Sequence, residues 1–324
     1  MRRKKKIVAF LVCIFVISLI GVGVWIGSRK TENFSTQYED DEDDNYVVYD
    51  GKKYQYNERL SNFLIMGIDT RESGENEKTP TTAGQADAIL LVSYDSVDET
   101  VTCIAIPRDT MTTIRTFSPE GEDLGTTIDH INIQYAFGNG KEKSCELMKE
   151  AVQKLLYGVP IQGYCAVNMD GIPVAVGAVG GVELVVPDDT LSKVYPEFQK
   201  GETVVITAEN AEKFVRYRDT QIRQSAIDRG NRQKVFVKAF AENAKVKAAK
   251  DEKFVVRLYE DIKPYMVTNM GNDIFAKILQ AENNAEMLEI PGKAVDGENF
   301  DEYQVDEGAL YKMILEVFYK EVQE

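Results

Sequence analysis

An uncharged run of twenty residues near the N-terminus, 7–26, constrains this chain more than any other feature of its sequence. At about 1.5 Å rise per residue, a helix of this length spans roughly 30 Å, the thickness of the hydrocarbon core of a bilayer. Five basic residues precede the run and two follow it, a distribution that favours a cytoplasmic N-terminus. We therefore expect a cytoplasmic basic tail at 1–6, a membrane-spanning helix at 7–26, and the rest of the chain outside the cytoplasm.

A cleaved signal peptide is the competing interpretation of this run. Signal peptides have a shorter apolar region that is followed by a cleavage site with small residues. Here the run is long, and its end, Val24-Trp25-Ile26-Gly27, offers no good cleavage site. Trp25 also suits an anchor at the membrane interface. The sequence thus favours an uncleaved signal-anchor.

The remainder of the chain is strongly acidic. The net charge is −15 although the first thirty residues carry seven basic residues and no acid, which leaves −22 for the rest. Nucleic-acid-binding proteins usually show a basic balance, so we expect no nucleic-acid partner. Six consecutive acids at 39–44 repel one another and predict a solvated acidic linker over 27–58 rather than a calcium site.

Histidine and cysteine usage narrows the chemistry further. The single histidine, His130, excludes a zinc site built from several histidines, and the four cysteines lack the CxxC spacing of a zinc ribbon or thioredoxin motif. Cys145 and Cys165 could form a disulfide in an oxidising exterior. Alternatively they are, with Cys103, small buried hydrophobic residues. The sequence leaves both readings open.

Alternating apolar runs and helical patterns predict an α/β fold. The chain has 324 residues and is 44% hydrophobic, which is enough to form a core. Runs at 63–68, 88–94 and 101–106 suit strands buried on both faces, and further strands are expected at 163–169 and 182–186. Helices are expected at 145–156, 172–179, 208–215 (with Thr207 as N-cap), 225–249 and 306–322. No repeat or domain break is visible after residue 60, so one domain is expected over 59–324.

Charged residues collect at the ends of these elements. Asp69 and Arg71 follow the first strand, Asp87 begins the second, and Arg108 and Asp109 follow the third. Ligands of α/β sheets bind outside the carboxyl ends of strands. A further cluster lies before and within the long helix: Arg216, Arg218, Asp219, Asp228, Arg229, Arg232 and Gln233.

This pattern predicts a phosphate or pyrophosphate site. The planar guanidinium of arginine binds phosphate oxygens in a bidentate manner and stays charged, and two carboxylates near phosphates commonly hold Mg²⁺. Ordinary ion pairs are the alternative explanation, and they would join Asp69 to Arg71, Arg108 to Asp109, and Asp228 to Arg232.

Seven motifs follow one another in order along the chain. They are Gly-Ile-Asp-Thr-Arg (67–71), Ala-Asp-Ala-Ile-Leu (86–90), Ile-Pro-Arg-Asp-Thr (106–110), His-Ile-Asn-x-x-Tyr-Ala (130–136), Gly-Ala-Val-Gly-Gly-Val (177–182), Phe-Val-Arg-Tyr-Arg-Asp (214–219) and Asp-Arg-Gly-Asn-Arg-Gln-Lys (228–234). In this order they resemble the LytR-CpsA-Psr family of cell-envelope proteins. The resemblance is strong over 59–240, and 303–310 looks like the closing segment of that family.

The resemblance implies a fold, a location and a function. It implies one extracytoplasmic three-layer α/β domain, with a central mixed sheet flanked by helices, behind a single N-terminal transmembrane helix in a Gram-positive-type envelope. It also implies a phosphotransferase that moves a glycopolymer, either a teichoic acid or a capsular polysaccharide, from a polyprenyl-pyrophosphate carrier to a hydroxyl of peptidoglycan. The polyprenyl tail would lie in the apolar interior between sheet and helices.

The resemblance also implies roles for individual residues. Asp69 and Asp87 would hold Mg²⁺, with Mn²⁺ as an alternative. Arg108 would act in catalysis, and Asp109 or Asp219 would deprotonate the acceptor hydroxyl. The pyrophosphate would be bound by Arg71, Arg108, Arg216, Arg218, Arg229 and Gln233. This chain departs from the family pattern at Gln85, where an arginine is expected; Arg71 could supply that charge, or the site could work with one cation fewer.

Other functions remain compatible with these residues. Pyrophosphate hydrolysis would use the same groups as transfer. A non-catalytic lipid-binding or wall-binding module, or a regulator of the transcriptional-attenuator type, would need the apolar interior but not the paired carboxylates and arginines. The sequence therefore favours an enzyme over a binding module.

Overall fold

The computed structural model describes residues 46–71, 78–219, 221–222, 225–283, 287–298 and 300–322. The expected basic tail, membrane-spanning helix and most of the acidic linker lie outside these residues. Within them, no helix is both long and apolar enough to cross a membrane. The chain divides into two compact units, of which the larger is Tyr56–Lys320. In the smaller unit, two short strands pair antiparallel with Tyr46 opposite Gln55.

Sixteen strands lie in the described part of the chain. They are β1 (Tyr46–Tyr49), β2 (Lys52–Tyr56), β3 (Leu60–Ile68), β4 (Ala86–Asp95), β5 (Thr100–Ala105), β6 (Met111–Phe117), β7 (Asp123–His130), β8 (Gly163–Asn168), β9 (Val182–Val185), β10 (Thr203–Ile206), β11 (Met266–Thr268), β12 (Glu282–Asn283), β13 (Leu288–Glu289), β14 (Gly292–Asp296), β15 (Asp301–Val305) and β16 (Tyr319–Glu321).

Seven α-helices lie in the same residues. They are α1 (Glu142–Leu155), α2 (Gly171–Val179), α3 (Ala211–Arg216), α4 (Ser225–Lys250), α5 (Phe254–Ile262), α6 (Asn272–Gln280) and α7 (Glu307–Phe318). Two 3-10 helices, Ile131–Phe137 and Lys263–Tyr265, lie between them.

The larger unit is built on a mixed seven-stranded sheet with the order β11-β8-β3-β4-β5-β12, in which β13 also pairs with β5. β4 runs antiparallel to both β3 and β5, and β8 runs parallel to β3. The carboxyl ends of β3 and β5 and the start of β4 therefore meet at one edge of the sheet. This edge carries the residues that follow or begin those strands.

Successive side chains of a strand point to opposite faces of the sheet, and helices cover both faces. Leu64 and Leu91 pack on one face with Met148 of α1 and Ile314 of α7. Phe63 points to the other face, where α6 packs against it. Each fully buried aliphatic side chain contributes about 2 kcal/mol of hydrophobic stabilisation. The expected α/β fold with a mixed central sheet flanked by helices is confirmed.

Three helix boundaries differ from the expectation by three residues or more. The helix expected from residue 145 already begins at Glu142. The helix expected from residue 208 begins only at Ala211, because Asn210 Oδ1 accepts a hydrogen bond from the Thr207 amide (2.7 Å) and holds the preceding residues in a turn. The expected N-cap Thr207 is wrong, since Asn210 precedes the helix. The last helix was expected to reach residue 322 but ends at Phe318, and the following residues are extended in β16. Its start is as expected, since Asp306 caps it by accepting from the Ala309 amide.

The cysteines of the described residues are free thiols, so the disulfide reading of Cys145 and Cys165 is wrong. Both side chains are buried on the sheet and helix that the sequence predicted for them. Burial in an apolar surrounding disfavours the thiolate, and it raises the pKa of Cys165 to about 12. The alternative reading, buried hydrophobic cysteines, applies to this pair.

Candidate active site

A polar cavity of about 670 Å³ opens at the sheet edge where β3 and β5 end and β4 begins. The helix α3 and the first turns of α4 close its other side. Six residues singled out in the sequence line this cavity together: Asp69, Asp87, Arg108, Arg216, Arg218 and Arg229. Segments up to 160 residues apart in the chain thus supply four arginines and two aspartates, and Glu209, Glu212 and Lys213 of the α3 region also line the cavity.

Asp87 is the centre of the charge arrangement. Its side chain is only 10% exposed, and each carboxylate oxygen faces a different guanidinium. Arg229 Nη1 donates to Oδ2 at 2.9 Å, and Arg108 Nη1 donates to Oδ1. Because Asp87 lies between them, two cations from different elements can be held side by side.

Arg229 has donor capacity that the protein does not use. Its side chain is 6% exposed, and burial lowers the pKa of Arg229, an effect that the nearby Asp87 opposes. Among the described residues, its Nη2 is buried without a hydrogen-bond partner. An unpartnered buried guanidinium nitrogen costs free energy, and an anion bound in the cavity is the group that would satisfy it.

Gln85 takes a different role from the arginine that the motif pattern led us to expect. Its Oε1 accepts hydrogen bonds from Arg108 Nη2 (3.1 Å) and from Asn132 Nδ2 (2.9 Å). Its backbone amide donates to Asp69 Oδ1 at 2.6 Å. Gln85 therefore orients Arg108 instead of adding a positive charge to the cavity.

Arg71 does not replace that charge in this structure. Its side chain is 57% exposed and does not line the cavity; it pairs with Asp170 (3.3 Å) and with Glu212 (2.5 Å), an acidic residue of the cavity lining. Glu212 also accepts from Arg216 Nη1 at 3.1 Å. The hydrogen bond from Arg71 holds the pKa of Glu212 below its ordinary value. Arg71 thus ties the end of β3 to α3 at the cavity rim, and it does not pair with Asp69.

Arg232 is a structural residue, as the ion-pair explanation expected, but its partner differs from the expected one. It is fully buried and pairs with Asp188 through Nη1 at 3.1 Å, instead of pairing with Asp228. Its Nε donates to the carbonyl of Phe214 at 3.2 Å, and its Nη2 donates to the carbonyl of Tyr217. These are carbonyls at the end of α3, which lack partners within the helix.

The three remaining candidates lie at different places. Asp109 is next to Arg108 and accepts from its Nε at 3.0 Å, so this ion pair of the alternative explanation does exist. Asp219 is in a turn, where its Oδ1 accepts from the Gln221 amide at 3.0 Å, and it does not line any of the described cavities. Gln233 donates through Nε2 to the carbonyl of Val215 at 3.1 Å.

An apolar groove of about 470 Å³ lies between the sheet and the helices α2, α4, α5 and α6. Its lining is dominated by aliphatic and aromatic side chains, among them Val167, Ile172, Phe236, Phe240, Phe275, Ile278 and Leu279. A smaller cavity of about 290 Å³ adjoins both the groove and the charged cavity. This intervening cavity shares Asp87 and Arg108 with the charged cavity and Val237 and Met287 with the groove.

The profile of the LytR_cpsA_psr family matches residues 24–317. The chain belongs to the LytR-CpsA-Psr family. A relative from Bacillus mycoides (strain KBAB4), named polyisoprenyl-teichoic acid–peptidoglycan teichoic acid transferase TagU, is 28% identical over 304 residues, which are 91% of this chain and 91% of its own.

Solved structures agree with this LytR-CpsA-Psr assignment at the level of the fold. The structure named "TagT bound to LI-WTA" has a TM-score of 0.60 at 20% identity and covers 80% of this chain and 89% of its own. B. subtilis TagV has a TM-score of 0.57 at 21% identity and covers 80% and 96%.

The LytR-CpsA-Psr resemblance implies a bound Mg²⁺, and Asp69 and Asp87 are its candidate carboxylate ligands. Across the described residues, no group of three or more His, Cys, Asp or Glu side chains is arranged to hold a metal ion. Carboxylates are hard oxygen donors, and Mg²⁺ commonly takes one or two of them together with phosphate oxygens and water. The residues therefore fit a cation that binds along with phosphates, and not one held by the protein alone.

Proposed function

We propose that this protein transfers a glycopolymer of the teichoic acid type from a polyprenyl-pyrophosphate carrier to a hydroxyl of peptidoglycan. One observation carries the proposal: a cavity with four arginines and an apolar groove both share lining residues with one intervening cavity. A polyprenyl-pyrophosphate donor has two parts that match these two sites: a charged pyrophosphate for the cavity and a long hydrocarbon tail for the groove. The name of the B. mycoides relative supports the teichoic acid type and the peptidoglycan acceptor.

Binding of the pyrophosphate follows from the charges of the cavity. Arg229 offers a buried unpartnered nitrogen, and Arg108 is held beside it through Asp87. Arg216 and Arg218 line the same cavity. Charge-assisted hydrogen bonds from guanidinium to phosphate are about twice as strong as neutral ones. The hydrocarbon tail would lie in the groove, where burial of apolar area stabilises it.

The transfer step needs a proton acceptor, and we assign that role to Asp109 rather than Asp219. Asp109 lies beside Arg108, whereas Asp219 is engaged in a turn. The acceptor hydroxyl gives its proton to Asp109, and its oxygen forms a bond to the phosphorus that carries the glycopolymer. The bond from this phosphorus to the bridging oxygen breaks, and polyprenyl phosphate leaves with the electron pair.

The arginines lower the barrier by neutralising charge on the phosphate oxygens and on the departing phosphate. Asp69 and Asp87 would hold Mg²⁺ or Mn²⁺, which when bound would neutralise part of the same charge. Asp87 also keeps Arg108 and Arg229 in place, so the cluster is pre-arranged before the donor arrives.

We place the reaction at the outer face of the cell membrane, where the donor lipid and the wall adjoin. In this proposal residues 7–26 anchor the protein as a single span, and the catalytic part is extracytoplasmic. Protease treatment of intact cells without their wall should remove the catalytic part. Protection of that part in intact cells, with digestion only after lysis, would contradict this placement.

The direct test uses the full-length chain in detergent micelles with Mg²⁺. A polyprenyl-pyrophosphate-linked saccharide serves as donor and a peptidoglycan oligomer as acceptor, and mass spectrometry identifies the products. We expect a saccharide-phosphate-peptidoglycan adduct. Arg108→Ala should slow its formation about 10²- to 10³-fold, because one fixed donor to the transition-state charge is lost.

The matched control is Arg115→Ala, which removes an exposed arginine that pairs with Asp123 on the β6–β7 hairpin. It should retain the wild-type rate. Release of saccharide phosphate without any adduct would instead indicate a pyrophosphate hydrolase. Tight donor binding without turnover would indicate a lipid-binding module. Full activity of Arg108→Ala would remove the basis of the site assignment.

A further inference from the structure

A second polar cavity, of about 430 Å³, adjoins the charged one. The two share Gln85, Arg108 and Arg218, so these side chains form the wall between them. The second cavity is otherwise lined by the start of the 3-10 helix, the end of β7 and the residues that begin β15: Asp109, Asp129, His130, Asn132, Ile133, Phe300 and Asp301, with Ile222 and Ser225. The transfer chemistry described above uses only Asp109 of this set.

An aromatic ring stands exposed at the rim of this cavity. Phe300 is 73% exposed and belongs to the lining of the cavity. Its ring lies edge-on to His130, with centroids 6.4 Å apart. His130 Nε2 lies 2.9 Å from the carbonyl oxygen of Asp301, and Nδ1 lies 2.9 Å from Asp129 Oδ1. His130 thus joins the end of β7 to the segment that carries Phe300.

The polar lining of the cavity combines hydrogen-bond acceptors with the donors of its wall. Asp109, Asp129 and Asp301 contribute carboxylates. Asn132 is 1% exposed, and its Oδ1 is buried without a partner among the described residues. A buried amide oxygen without a partner calls for a donor from a ligand or from water. The three carboxylates outnumber the two guanidinium groups of the wall, Arg108 and Arg218, and so disfavour an anionic ligand, whereas a ligand with many hydroxyl groups can both donate and accept hydrogen bonds here.

A pyranose combines the two features that this cavity matches. Its hydroxyl groups donate to carboxylates and amides, and its apolar C–H face packs on an aromatic ring. We infer that the second cavity is the acceptor subsite, which binds a sugar of the glycan strand with Phe300 as its stacking platform. The inference rests on the proposed transferase function and names where its acceptor binds.

The shared wall explains how acceptor and donor would meet. A sugar hydroxyl in the second cavity lies on the same side of Arg108 as Asp109, which accepts its proton. The pyrophosphate in the first cavity is bound by the same Arg108 and by Arg218. The two reactants are thus brought together at side chains that line both cavities, which converts a bimolecular encounter into a reaction between bound groups.

The test separates acceptor kinetics from donor kinetics in the full-length chain in detergent. Phe300→Ala should raise KM for the peptidoglycan oligomer about tenfold, because loss of one aromatic anchor typically costs that much in affinity. KM for the polyprenyl-pyrophosphate donor should stay unchanged. Phe300→Trp, which keeps a stacking ring, should restore the acceptor KM. Leu124→Ala, which truncates another exposed apolar side chain on β7, should change neither value.

A direct binding measurement keeps this inference distinct from the proposed function. Binding of the same peptidoglycan oligomer is measured by calorimetry without donor, for wild type and Phe300→Ala. If the wild type binds the glycan and Phe300→Ala weakens it, the subsite stands even where transfer fails. If transfer proceeds but Phe300→Ala leaves the acceptor KM and glycan binding unchanged, the subsite assignment is wrong. The subsite assignment would also be overturned if the wild type neither binds the glycan in calorimetry nor shows saturation by the acceptor in the kinetic assay.

Discussion

At the scale of single residues, the position of Asp87 suits two different roles. It is a candidate ligand of Mg²⁺, and it is also the carboxylate between Arg108 and Arg229. The two roles have different consequences for stability. A metal ligand matters when metal is present, whereas a buried counter-ion of two arginines matters in every condition.

Asp87→Asn should lower the free energy of unfolding by about 3 kcal/mol, because it leaves buried guanidinium charge uncompensated. The loss should appear in urea titrations with EDTA as well as with Mg²⁺. Asp69→Asn is the matched control: this exposed carboxylate should affect stability by less than about 1 kcal/mol while reducing transfer. Equal stability of Asp87→Asn and wild type in EDTA would show that Asp87 is not the counter-ion that holds these arginines.

At the scale of elements, the corner between α3 and α4 determines where two of the site arginines point. Arg216 and Arg218 lie at and just beyond the end of α3. The buried Arg232 of α4 donates to the Phe214 and Tyr217 carbonyls on either side of Arg216. Arg232 itself does not line the charged cavity, so we regard it as a positioning residue.

Arg232→Lys should destabilise the protein by about 3 kcal/mol, because a lysine cannot make the set of directed hydrogen bonds that the guanidinium makes. The donor KM should also rise, since the segment that carries Arg216 and Arg218 loses its fixed position. Urea unfolding and steady-state kinetics measure the two effects.

Arg257→Met is the control for this variant. Arg257 of α5 forms an exposed pair with Asp251 at 2.5 Å, and such pairs contribute less than about 1 kcal/mol. A donor KM that stays at the wild-type value in Arg232→Lys, despite lowered stability, would limit Arg232 to a purely structural role.

At the scale of the whole molecule, buried thiol and phenol groups lower the stability of the larger unit at alkaline pH. The pKa values of Tyr135, Cys145 and Cys165 lie above their ordinary values of 10.0, 9.0 and 9.0, and burial is the main cause of each increase. These groups stay protonated in the folded protein at pH values where the unfolded chain already loses the protons. Their contribution to stability is therefore complete below pH 9 and is lost as the pH rises above it.

The free energy of unfolding in urea, measured under reducing conditions, should thus fall between pH 8 and pH 11. Cys145→Ala should make this fall less steep, although the variant starts from a lower stability because a buried group is removed. Cys103→Ala, which removes a half-buried thiol, should have a smaller effect on how steeply the free energy of unfolding falls with pH. A slope that is the same in wild type and Cys145→Ala would contradict the role of this thiol.

The parts of the fold that could be predicted are those in which local pattern and burial agree. β3 and β4 are continuous apolar runs because both of their faces are covered, and the helix expected at 172–179 ends as expected at the left-handed Gly180. The hairpin of β6 and β7 was not predicted. β7 is exposed over Asp123–Thr127 and rich in polar residues, so it lacks the alternation that reveals a strand.

The sequence by itself determined which residue types gather near strand ends, and hence six of the residues that line the charged cavity. It also determined that cysteines such as Cys145 fall within apolar elements. Only the tertiary structure decided the pairings: Arg232 with Asp188, Arg71 with Glu212, and Asp87 with two arginines at once. Such pairings join residues that are 21 to 142 positions apart. Local sequence carries no signal for them because strand order and helix packing, not spacing along the chain, bring those charges within hydrogen-bonding distance.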